Sequence, residues 1–164
     1  MRGAVAIGLG LVVLVTAGCG SGKGDSAQRE TTPRSAKEEF RVSGNRICEE
    51  AVTQALKLPP SGTLRDAVEF VEWTRAVQDI MADGSSRLRS LTPPRGDEAK
   101  IDSILDKFDR VRMNYVEMEA AARARSAKAW TTMWDANVDV AREAQYESAV
   151  YGLDKCAHYG WAWQ

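Results

Sequence analysis

The 164-residue chain holds a single histidine, His158, and only three cysteines. With one imidazole and neither a His-Glu-x-x-His nor a Cys-x-x-Cys pattern, no motif supplies partners for a hydrolase triad or a zinc centre. Cys156-Ala157-His158 lacks the first cysteine of a haem-attachment pair. Charge of one sign is also missing. The formal net charge is −1 at pH 7, and there is no basic stripe for a nucleic acid and no polybasic block to add membrane affinity. Long apolar runs are absent too. Residues 4–17 are uncharged, but a membrane-spanning helix needs about twenty such residues. Strand-type alternation is scarce from Ser35 onward.

Residues 1–18 have the layout of an export signal. Arg2 gives a positive start, residues 4–17 the apolar middle, and Ala17-Gly18 the small residues before Cys19. Val15-Thr16-Ala17-Gly18-Cys19 resembles the lipobox of bacterial lipoproteins, with Thr16 where that family usually carries Leu or Val. The resemblance implies that residues 1–18 are removed and that Cys19 becomes a lipidated first residue, holding the protein on the outer face of the membrane. A plain secretory signal is the alternative. Residues 19–34, opening with Gly20-Ser21-Gly22-Lys23-Gly24, are polar and read as a flexible tether. About fifteen such residues span a root-mean-square distance of roughly 20 Å.

The remainder, 35–164, reads as an all-α domain, a four-helix up-and-down bundle with an aromatic tail. Phe40, Gly44, Ile47, Ala51, Ala55 and Leu58 recur at helical spacing, and Pro59-Pro60-Ser61-Gly62 ends that helix. Thr63 is the expected cap of a second helix, with Asp66 as its capping-box partner. That helix is expected to reach Leu91, with two apolar stripes and a kink or break at Gly84-Ser85-Ser86. The third starts near Asp97 and carries Ile101, Ile104, Leu105, Phe108, Val111, Tyr115, Met118 and Ala122 on one face. Ser126 caps a fourth, expected to bury Trp130, Trp134, Val138, Ala141, Ala144 and Ser148 and to run to Cys156.

In an exported chain the two remaining cysteines, Cys48 and Cys156, are expected to pair. The alternative is two buried thiols. Both lie at the flank of an apolar stripe, yet Cys48 is halfway along the first helix while Cys156 closes the last. Pairing them therefore requires either a first helix that starts beyond the end of the fourth or a staggered bundle. Asn45-Arg46-Ile47-Cys48, the Leu91-Thr92-Pro93-Pro94 turn and Gly152-Leu153-Asp154-Lys155-Cys156-Ala157 resemble small helical lipoproteins of actinobacteria. That resemblance implies a location, a fold and two structural cysteines. It brings no catalytic residue.

Asp135, Asp139, Glu143 and Glu147 recur every fourth residue, but on a helical wheel they fan out opposite the core face, as a solvated surface does. His158 reads as a helix-end residue able to pair with Asp154. No metal or cofactor is expected, and no enzymatic activity. The aromatic residues stand out. Tyr159-Gly160-Trp161-Ala162-Trp163 alternates rings with small residues. Tyr159, Trp161 and Trp163 either fold back over the bundle or form a contact surface for an envelope protein or a glycan. The expected role is non-enzymatic binding or structure at the cell surface. The competing reading is a small-ligand carrier whose apolar pocket is lined by Trp73, Trp130 and Trp134.

Overall fold

Three of the four helices begin at a short polar side chain that takes up orphan backbone donors. The computed structural model describes residues 35–158; Cys19, the tether and Tyr159, Trp161 and Trp163 lie outside them. Helix α1 spans Ala36–Ala55, and the Ser35 hydroxyl accepts a hydrogen bond from the Glu38 amide at 3.2 Å. Its core face is the one the periodicity predicts, with Phe40, Gly44, Ile47, Cys48, Ala51 and Ala55 buried.

Helix α2 spans Ala67–Arg89. Its cap is Asp66 rather than Thr63. The Asp66 carboxylate accepts from the amides of Val68 (2.9 Å) and Glu69 (3.0 Å). Thr63 closes a short 3-10 turn and donates its hydroxyl to the Pro59-Pro60 corner, at the Pro60 carbonyl. A carboxylate that satisfies two donors is the better cap. The helix continues through Gly84-Ser85 without a break, with both residues buried, and its interior is one stripe of Trp73, Val77, Met81 and Leu88. Val68, from the expected second stripe, is 65% exposed.

Helix α3 spans Glu98–Arg123 and buries every residue predicted for its face. Helix α4 spans Ala127–Tyr151. The break between them is sharp. Arg125 adopts φ 52°, and the amides of Ser126 and Arg125 bond back to the carbonyls of Ala121 and Ala122, which is a Schellman ending built on a non-glycine residue. Ser126 then caps α4 through the Ala129 amide.

Consecutive helices pack against one another, α1 on α2, α2 on α3 and α3 on α4. Lys37 at the start of α1 reaches Asp97 at the start of α3, and Phe40 meets Tyr151 at the end of α4 edge-on. At the other end Phe70, early in α2, meets Trp130, early in α4. The order is therefore up-down-up-down.

The fourth helix stops at Tyr151, five residues before the expected end. Gly152 takes φ 90°, and the amides of Leu153 and Gly152 return to the carbonyls of Ser148 and Ala149. The chain reverses there and runs back along α1. The Gly152 carbonyl accepts from Asn45 Nδ2 at 3.0 Å and Arg41 Nε at 3.3 Å. Lys155 donates its amide to Asn45 Oδ1 at 2.8 Å. Cys156, in a final 3-10 turn over Cys156–His158, forms a disulfide with Cys48 at a Cα–Cα distance of 4.9 Å. Chain reversal, not a staggered bundle, removes the axial mismatch. Gly44 leaves the room this requires, since a Cβ there would lie 2.7 Å from Leu153 Cδ2.

Candidate binding surface

The reversed segment docks beside α1, and α1 meets the end of α4 where Phe40 packs edge-on against Tyr151. Toward the start of α4, Trp130, Trp134 and Val138 are only partly buried, where the sequence pattern predicts core. The two indoles are nearly parallel, with centroids 6.4 Å apart and planes at 19°. Phe70 meets Trp130 edge-on at 4.7 Å. Phe70 joins the pair because α2 and α4 both begin at this end of the bundle. The α2 periodicity contained that signal, but nothing local linked it to α4.

Two open clefts flank this platform. One, of about 260 Å³, lies between Ser61-Gly62, Phe70 and the two tryptophans. The other, of about 340 Å³, lies between Phe70, Trp130, the end of α3 and Arg125. Trp73 belongs to neither. It is 3% exposed, donates its indole N–H to the Pro59 carbonyl at 3.0 Å, and meets Tyr115 edge-on. The trio expected to line one carrier pocket does not share one: Trp73 sits at the edge of a separate cleft of about 490 Å³ beside Leu58 and Leu64, away from Trp130 and Trp134.

A polar seam crosses the middle of the bundle. Asn137 is buried on α4 and accepts a hydrogen bond from Asn114 on α3 at 3.2 Å. Burial drives the Tyr115 hydroxyl well above the usual phenol range, with Asn137 opposing it. Residue 137 lies on the predicted apolar face, and its role follows only from the neighbour α3 places against it. The acidic ladder of α4 does not converge. Asp139 lies 3.5 Å from Arg142, while Glu147 turns to Lys107 at 3.0 Å and to Ser103. No cluster of three His, Cys, Asp or Glu side chains suited to a metal occurs among the described residues. His158 is exposed in the final turn rather than at the end of α4, and no ion pair joins it to Asp154.

The carboxylates most perturbed serve the fold. Asp97 is held below the ordinary carboxylate range by hydrogen bonds from Lys37 (2.9 Å) and from the Tyr151 hydroxyl (3.0 Å). Asp97 gives its own helix no side-chain cap, its backbone being in the αR region rather than extended as at Ser35, Asp66 and Ser126. Tyr151 is pushed up to about 12, first by burial and then by Asp97. Stability from the lowered Asp97 is complete above its unfolded value, about pH 4, and is lost as pH falls through the depressed folded value. Stability from the raised Tyr151 is complete below about pH 10 and is lost as pH rises through about 12. Asp97→Asn should therefore flatten part of the acid limb of the melting temperature below pH 4 and move Tyr151 ionisation toward the usual range. Arginine-bound Glu50 and Glu69 and the cap Asp66, all lowered, supply the rest of that limb. Melting curves against pH with tyrosinate absorbance check both. An unaltered acid limb and Tyr151 titration would refute the assignment.

No helix among the described residues is long and apolar enough to cross a membrane. No family model, curated protein or solved structure matches the chain.

Proposed function

We propose that the protein is a lipoprotein anchored through Cys19 to the outer face of a bacterial cell membrane, where its helical domain binds an envelope protein or glycan without catalysis. The small residues before Cys19 and the polar tether after it support the anchor, as does the resemblance to actinobacterial lipoproteins. The observation that carries the binding role is the Phe70–Trp130–Trp134 platform. Two large aromatic side chains remain partly exposed at the end of the bundle opposite Ser35. Indole faces with partial exposure are the usual anchors of protein and glycan contacts. Tyr159, Trp161 and Trp163, which follow the final turn in sequence, add rings of the same kind to this chemistry.

Mass spectrometry of the membrane fraction tests the anchor, and a mature N-terminus other than a lipidated Cys19 defeats it. For the platform, the Cys19→Ser protein is bound to isolated cell envelopes with and without Trp130→Ala/Trp134→Ala. Loss of a central aromatic pair should weaken binding by tenfold or more, with the helical circular dichroism kept. Equal binding by the two proteins would defeat the reading. Protease or glycosidase treatment of the envelopes identifies the partner class.

A further inference from the structure

The end of the bundle opposite the tryptophans holds a cleft of about 550 Å³ between the start of α1, the start of α3 and the end of α4. We propose that it binds a monomeric anionic amphiphile, a single apolar chain with a carboxylate head group. This site is separate from the platform, and the inference does not depend on the envelope partner.

The apolar half of the argument rests on four residues. Ile104 and Tyr151 line the cleft and are 2% and 7% exposed, so they form a dry floor. Tyr146 and Val150 line it as well, yet are 71% and 70% exposed. Both sit in the last two turns of α4, where the bundle leaves them in water. An alkyl chain lying in the groove would cover them, and the volume lies within the range of small-molecule sites, roughly 300–1,000 Å³.

The charge of the lining sets the sign of the head group. Lys37, Arg41 and Lys100 line the cleft against one carboxylate, Glu147. Glu147 is already engaged by Lys107 at 3.0 Å and by the Ser103 hydroxyl at 3.1 Å. Lys37 is shared with Asp97 and with the Tyr151 ring, 4.8 Å from its centroid. The Arg41 guanidinium lies 3.6 Å from Glu38 and holds the Gly152 carbonyl. Lys100 forms no ion pair among the described residues. It sits in the first turn of α3, which the Asp97 carboxylate does not cap, while Glu98 folds back onto the Gly96 amide. A carboxylate beside Lys100 thus meets a cation held in no close ion pair, acting on Asp97 only at longer range, next to a positive helix end. A cationic head group would find no free carboxylate in the lining.

The test uses the Cys19→Ser chain, which carries no acyl group of its own. It is titrated calorimetrically with dodecanoate below its micelle threshold, and with dodecyltrimethylammonium as the control. Dodecanoate should saturate at one equivalent and the ammonium compound should not. Lys100→Glu should weaken dodecanoate at least tenfold, as should Tyr146→Ser/Val150→Ser. All three side chains are exposed, so circular dichroism should be unchanged. Absence of saturation, equal binding of the cationic amphiphile, or indifference to Lys100→Glu would each overturn the proposal. Binding to phosphatidylglycerol vesicles without binding of monomeric dodecanoate would overturn it in favour of a membrane contact.

Discussion

Replacing both Cys48 and Cys156 by alanine should lower the unfolding free energy by about 4–5 kcal/mol, the largest effect expected of any change in the domain. The bond joins positions 108 residues apart, and a closed loop of about that length removes roughly that much chain entropy from the unfolded state. A small domain holds about 5–15 kcal/mol in total, so the bond contributes a large part of it. The fold adds a local reason. Both cysteines are fully buried, and the bond pins the reversed segment so that Leu153 stays against Gly44 and the Gly152 carbonyl stays over Asn45. Without it, that segment is held by a few hydrogen bonds and the Lys155–Glu49 pair at 3.2 Å, an exposed contact worth little. Denaturant titration of the oxidised protein and the double-alanine variant measures the difference. A loss below about 1 kcal/mol would refute the prediction.

Trp73→Ala should cost about 3–5 kcal/mol, the range for truncating a large buried aromatic. Three losses combine: the buried indole area, the edge contact with Tyr115 at 5.9 Å, and the donor to the Pro59 carbonyl. Trp73→Phe should recover much of the packing but not the hydrogen bond, and should fall between the two. A Trp73 that served only to line a ligand pocket would instead leave the melting temperature near normal. Thermal and chemical denaturation of both variants decides between core and pocket. A stability within about 0.5 kcal/mol of the parent for Trp73→Ala would return Trp73 to a functional role.

The same comparison separates what the chain determines locally from what it does not. Helix number, the cap Ser126, the Pro59-Pro60 and Pro93-Pro94 turns and the complete α3 face are all legible in sequence. Each depends on residues within one or two turns of one another. The choice of Asp66 over Thr63 is nearly so, because both lie in the same turn and only the Pro60 carbonyl distinguishes them.

The binding surfaces are of another kind. Periodicity places Trp73, Trp130 and Trp134 alike on apolar faces, but burial depends on which helix lies opposite. Trp73 faces Tyr115 and is buried, whereas Trp130 and Trp134 stack on each other at the start of α4 and stay partly exposed. The cleft at the other end draws Lys37, Lys100 and Tyr146 from three helices, a proximity no spacing encodes. The amino-acid sequence by itself determined the four helices, the core faces of α1 and α3 and the pair of cysteines, because helix formation and amphipathicity act over short distances. Only the tertiary structure decided that the chain turns back at Gly152 and which aromatic rings remain at the surface, because both depend on contacts between segments far apart in the chain.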